Sequence, residues 1–359
     1  MSQQHPNRVY ELPLARDYVR NWGVTQAVRE LIQNAIDTSA PFEYVQLEDT
    51  LCIISRGSRL DAATLVLGRT SKADDDHTIG QFGEGYKLAL LVLAREGKSI
   101  EVINDKVMWK PEFRQSRQFG IETMHIVEYP SPPTDRVEFV IKNLTAEEQQ
   151  AITNTCLFMQ PDQDDAIVTS QGRILPSKPG QLYVGGLYVS TTNLNFGYDI
   201  KPEHLKLERD RSTVDGWNLQ WVASRMWTET GRYDDIAQML EKDMPDVKML
   251  EWSSPSIIKE ACFKLFNERH PGALAVGSQE EMERAIREGT TKTVYVRSSA
   301  YHANIKASVG FAQSPASIPK PTPRQNLERW LDDNRAHMGD LAITNFGSLL
   351  SRADGWRNV

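Results

Sequence analysis

The sequence predicts an α+β protein in which helices pack on one face of a mixed sheet. Three observations predict it. Residues 24–37 carry apolar side chains at three- and four-residue steps. Residues 80–87, GQFGEGYK, set three glycines ahead of the apolar run 88–93. Short runs rich in β-branched and aromatic residues lie between and after these two stretches.

The size and composition bound the rest. The chain has 359 residues, a length that predicts two domains or three. Hydrophobic residues make up 40% and charged residues 25%, as in ordinary globular proteins. No apolar stretch is long enough to span a membrane, and the first residues, MSQQHPNRVYELP, contain no apolar signal core. The expected location is the cytoplasm, a host's cytoplasm if the chain is viral. The net charge of −7 argues against a generally basic nucleic-acid surface but leaves room for a local basic groove. Cys52, Cys156 and Cys262 are far apart, lack metal spacing and read as buried free thiols.

Helix 24–37 buries one face through Val24, Ala27, Val28, Leu31, Ile32, Ala35 and Ile36. At about 100° per residue, Asn34 falls roughly 40° from Glu30 and Asp37 roughly 20° to its other side. Two carboxylates and a carboxamide therefore share one ridge, away from the apolar stripe. Such a ridge is most often a solvated face. Residues 42–48 and 50–56 read as a hairpin, closed by Gly57. Residues 60–67 read as a short helix with Asp61 near its start, and a polar loop through residue 78 follows.

The stretch 80–87 reads as a glycine-rich loop opening a buried helix. Glycine lets a backbone turn tightly and approach a ligand without a Cβ in the way. The N–H groups and positive dipole end of a helix suit phosphate. Alone this is a weak signal. Strands are expected at 99–104, 106–109, 120–129 and 136–141.

Taken together, the order EliqNaiD, a strand ending in a glycine turn, a Thr-Ser-Lys loop, and GxFGxGxK resembles the GHKL ATPases. That family includes gyrase B subunits, MutL-type repair proteins, large heat-shock chaperones and sensor histidine kinases. The likeness is nearest to chaperone-, MORC- and phage rIIA-type members and covers about residues 22–141. It implies an N-terminal Bergerat-type sandwich over residues 1–150 that binds ATP and Mg²⁺. By the resemblance, Glu30 is the general base and Asn34 the metal ligand, and Asp37 faces the nucleotide. Gly80, Gln81, Phe82, Gly83, Glu84 and Gly85 cradle the phosphates, with Lys87 as an added cation. Ser71 and Lys72 belong to a mobile lid, and Thr134 sits near the adenine.

The first glycine box departs from the family. DxGxG is here Ser55-Arg56-Gly57-Ser58-Arg59. A neutral serine stands in place of the adenine-reading aspartate, and Arg59 in place of the second glycine. Losing a charged hydrogen bond of this kind costs roughly 1.5–3 kcal/mol. Three explanations fit: Asp37 reads the adenine, Ser55 accepts another purine, or the nucleotide binds weakly until a partner closes the lid.

The resemblance implies a transducer-like α/β domain over 151–250. It carries the cluster Lys206, Arg209 and Arg211, with Arg211 the candidate for the γ-phosphate; an interdomain or surface salt-bridge cluster fits these residues equally. Residues 214–240 read as one helix whose tryptophans serve the core. Alternating helices and strands predict a small α/β unit over 251–313, then a proline-rich linker at 314–323 and a helical tail at 324–359. The expected activity is slow, Mg²⁺-dependent ATP hydrolysis driving a conformational cycle, with homodimerisation on nucleotide binding and a protein or DNA client. The alternative is a nucleotide-responsive binding or scaffold protein with little turnover.

Overall fold

The structure, a computed structural model, describes residues 5–37, 42–66, 85–205, 215–288, 290, 292–313 and 323–352. The class is α+β. The chain forms two compact units, Met1–Met239 with Met244–Leu250, and Leu240–Asp243 with Glu251–Val359.

The first unit is built on a seven-stranded sheet. In chain order its elements are β1 (Arg8–Ala15), α1 (Val24–Ile36), β2 (Phe42–Leu47), β3 (Thr50–Arg56), α2 (Gly85–Arg95), β4 (Ser99–Asn104), β5 (Val107–Gln115), β6 (Glu122–Pro130) and β7 (Arg136–Lys142). Across the sheet they run β1-β6-β5-β4-β7-β3-β2. Every pairing is antiparallel, so the expectation of a mixed sheet is corrected here. The reason lies in β7. Strands β3 and β4, joined through α2, both run antiparallel to β7, which sits between them. They share a direction but are not neighbours.

Helices α1 and α2 cover one face. Ala27, Val28, Leu31 and Ile32 of α1 and Ala89 to Leu93 of α2 are fully buried. They meet Leu51 and Ile53 of β3, Val102 of β4, Ile126 of β6 and Val137, Phe139 and Ile141 of β7 in one apolar cluster. The opposite face of the sheet is charged, with Glu101 bridging Lys110 and Lys142.

Strand β1 is an addition to the sequence reading. Tyr10, Leu12 and Leu14 alternate inward, but the strand has only β6 as partner and its register breaks between Glu11 and Ala15, around Pro13. Strand β5 also runs further than expected. It passes through Pro111 because β4 pairs with it only to Trp109, and a proline is tolerated where one side is an edge.

Helix α3 (Ala146–Thr155), held by a Thr145–Glu148 capping box, leads to a second sheet. Its strands are β8 (Ile167–Thr169), β9 (Gly172–Leu175), β10 (Gln181–Val184), β11 (Leu187–Thr191) and β12 (Gly197–Ile200), in the order β11-β10-β12-β9-β8. This sheet is the mixed one, since β10 and β12 are parallel. Two helices follow, α4 (Gly216–Glu229) and α5 (Tyr233–Glu241). The single helix expected at 214–240 is broken at Gly231, whose φ of 70° is left-handed. Trp227 is buried as expected, whereas Trp217 is exposed. Asp246 is fully buried and accepts bonds from the N–H groups of Asn195 and Phe196 and from the Tyr198 hydroxyl.

In the second unit, α6 (Ser256–Arg269) precedes β13 (Leu274–Val276), α7 (Gln279–Arg287), β14 (Thr293–Tyr295) and α8 (Ser299–Lys306). Strands β13 and β14 are parallel, as a crossover helix requires. Serines 278 and 298 cap α7 and α8. A short α9 (Val309–Ala312) and the helices α10 (Pro323–Asn334) and α11 (Asp340–Arg352) end the described chain. Trp330 and Phe346 meet between the last two, with ring centres 5.3 Å apart.

All three cysteines are free, and burial pushes the Cys156 thiol up to about 11 and the Cys262 thiol to about 12.

Candidate functional site

The site is built from α1 outward. Glu30 and Asn34 are one turn apart on α1. A solvated ridge would leave Glu30 open to water, yet it is only 4% exposed. Gly85, at the start of α2, lies directly against its carboxylate. A Cβ placed on Gly85 would overlap the Glu30 carboxylate and lie 3.6 Å from Asn34 Nδ2. Glycine at this position lets the second helix begin directly against the two polar side chains of the first.

Asn34 Nδ2 donates to the Glu30 carbonyl at 2.7 Å. That bond orients the amide and leaves Oδ1 on its other side as an acceptor. Arg29 is nearly buried, and its Nη1 lies 3.4 Å from Glu30 Oε1. Its Nε donates to the Tyr188 carbonyl of β11 at 3.2 Å. Asp37 caps the helix, half-buried, with its N–H donated to the Gln33 carbonyl at 2.9 Å.

Lys87 takes a place that the sequence did not foretell. It is fully buried, and its ammonium donates to the carbonyls of Thr64 at 2.8 Å and Val66 at 2.7 Å. The neighbouring Tyr86 hydroxyl meets Thr64 Oγ1 at 2.8 Å, and burial pushes its pKa up to about 12. Residues 86 and 87 thus tie the 3₁₀ turn Ala62–Leu65 to the first turn of α2. Lys87, expected as an added cation at the phosphates, is here buried with its ammonium on two carbonyls.

Ser55 shares the helix-covered face with Leu51 and Ile53, by the alternation of β3, and is buried. Gly57 has φ of 64°, and its N–H donates to Asp135 at 2.6 Å. The glycine is needed for that conformation. Thr134 stands in the same loop cluster. Its N–H reaches the Asp105 carbonyl at 3.1 Å, and its hydroxyl donates to the Arg136 carbonyl at 3.1 Å. Arg59 is exposed and pairs with Asp105. Asn104, which the sequence reading missed, clamps this loop from both sides. It accepts from Leu60 N–H at 3.0 Å and donates to the Leu60 carbonyl at 2.8 Å. A polar residue ending a strand just before a turn was the available signal.

The structure therefore brings Glu30, Asn34 and Gly85 into contact, and groups Gly57 with Thr134 at one end of the sheet. Ser71, Lys72, Gly80, Gln81, Phe82, Gly83, Glu84 and Arg211 lie outside the described residues.

Among the described residues, no group of three His, Cys, Asp or Glu side chains is arranged to hold a metal. Magnesium needs no such cage, because it keeps several waters and takes one or two protein oxygens beside substrate phosphates. The Asn34 carboxamide, one turn from the Glu30 carboxylate and with its oxygen not used in the bond to the Glu30 carbonyl, supplies one such protein oxygen.

No helix among the described residues is long and apolar enough to cross a membrane. No family model matches the chain. The chain is similar to a protein of Mycoplasma pneumoniae (strain ATCC 29342 / M129) described only as uncharacterized, with 23% identity over 218 residues that span 55% of this chain and 88% of that protein.

Proposed function

We propose that this protein is a Mg²⁺-dependent ATPase of the GHKL type, acting in the cytoplasm, whose slow hydrolysis drives a conformational cycle. The observation that carries the reading is the contact of Gly85 with Glu30 and Asn34. Two motifs some fifty residues apart in sequence meet there, with a glycine at the meeting point. A carboxylate, a carboxamide and a helix N-terminus in one place suit hydrolysis of a phosphoanhydride.

In this reading Glu30 accepts a proton from the water that attacks the γ-phosphorus. The new oxygen–phosphorus bond forms as the bond to the ADP oxygen breaks, and ADP leaves with its electron pair. Asn34 would hold Mg²⁺ through Oδ1. The ion, when bound, offsets the negative charge of the phosphate oxygens. Asp37 or Ser55 meets the base, and two copies of the chain associate when nucleotide is bound. Glu30→Ala tests the chemistry: turnover should fall by about 10²–10⁴ while a non-hydrolysable ATP analogue still binds. Turnover that survives the change comes from something else.

One observation favours the second reading, a nucleotide-responsive scaffold with little turnover. The residue in place of the adenine-reading aspartate is the neutral, buried Ser55. Calorimetry of ATP against GTP separates the two readings when combined with a turnover assay.

A further inference from the structure

Arg29 lies beside the proposed base but off its ridge. Neighbouring residues on a helix point about 100° apart and do not face each other. The contact between Arg29 and Glu30 is therefore not a product of helix geometry. Its guanidinium is turned towards the second sheet, where Nε donates to the Tyr188 carbonyl at 3.2 Å. From that anchor Nη1 stands 3.4 Å from Glu30 Oε1. The side chain is only 13% exposed, so neither contact is a loose surface pairing.

The anchor is itself held. Strand β11 follows Gly186, whose N–H donates to Asp199 Oδ1 at 2.7 Å, while the other Asp199 oxygen takes Arg173 through two nitrogens at 3.1 and 2.6 Å. The Gly186 carbonyl accepts from Leu157 N–H at 2.8 Å, and Leu187 bridges Cys156. A Cβ on Gly186 would overlap the ring of Phe158. Leu187 is fully buried in the same core as α1. A displacement of β11 thus reaches Arg29 through one hydrogen bond and Glu30 through the next.

We propose that Arg29 is a positioning residue that couples the second sheet to the site, holding the Glu30 carboxylate through the Tyr188 carbonyl of β11. This rests on the proposed ATPase reading. A planar guanidinium can serve both acceptors at once, whereas an ammonium keeps the charge but lacks the fork. If Arg29 only supplied charge, lysine would replace it.

The test combines kinetics with hydrogen exchange on the full chain. In Arg29→Lys, a non-hydrolysable ATP analogue should bind within about threefold of wild type, while kcat falls tenfold or more with KM little changed. In wild type the analogue should alter amide exchange in residues 187–191, and in Arg29→Lys that response should vanish. The wild-type exchange measurement does not depend on the variant's folding. Analogue binding and turnover in wild type with no change at 187–191 overturn the coupling alone, as does an Arg29→Lys enzyme with normal kcat. Failure of wild type to bind the analogue overturns the ATPase reading and the coupling with it.

Discussion

The two ends of the candidate site are organised differently. At one end, Glu30, Asn34 and Gly85 belong to two helices and meet across the space between them. At the other, Gly57, Arg59, Asn104 and Thr134 belong to strand ends and loops and are bonded to the backbones of Leu60, Asp105, Asp135 and Arg136 and to the Asp105 carboxylate. The first end brings a carboxylate and a carboxamide to a helix start. The second spends its polar groups on holding its own loops. The difference teaches where the specificity of the proposed nucleotide site is to be sought: the proposed phosphate end packs Glu30 and Asn34 against a helix start, and the proposed base end has mainly Ser55 and Asp37 to offer.

Four substitutions break or sharpen this contrast. The largest effect is expected for Gly85→Ala. Its methyl group must displace the Glu30 carboxylate, and a misplacement of about 1 Å costs roughly a hundredfold in rate. Steady-state turnover checks it, and an unimpaired variant would show that the two helices do not form the reacting site.

Lys87→Met comes next. It removes an ammonium from two carbonyls and leaves them buried, at a cost of about 1–3 kcal/mol in stability. The midpoint of denaturant unfolding should fall while affinity for an ATP analogue, measured on the folded protein, holds. An unchanged midpoint with lost affinity would return Lys87 to the phosphates.

Ser55→Asp places a charged acceptor at the proposed base end. ATP affinity should rise about ten- to a hundredfold and GTP affinity should not. Calorimetry reads both, and unchanged ATP affinity would sink the idea that residue 55 reads the base. Thr134→Ala should do least. Its hydroxyl serves the Arg136 carbonyl, so stability changes by less than about 1 kcal/mol and ATP affinity stays within about threefold. A large loss of affinity would mean that Thr134 contacts the nucleotide despite that bond.

Much of this was legible in the chain. The 3.6-residue period of α1 and its polar ridge follow from side-chain order alone, as do the hairpin β2–β3 and the capped turn at Asp61. Gly57 and Gly85 are both where a side chain fails, one for its backbone angle and one for the carboxylate beside it. Strand β1 was missed because an irregular edge strand with a proline carries a weak alternation.

Local order determined the helices around Glu30 and after Gly85, the β2–β3 hairpin, and which polar groups share the ridge, because those depend on spacing along one chain. Only the tertiary structure decided that β7 separates β3 from β4, that Glu30 is buried with Gly85 of α2 against its carboxylate, that Lys87 turns inward to two carbonyls, and that Arg29 reaches β11. Each of these joins groups distant in sequence, and no local spacing records which distant backbone will supply the partner.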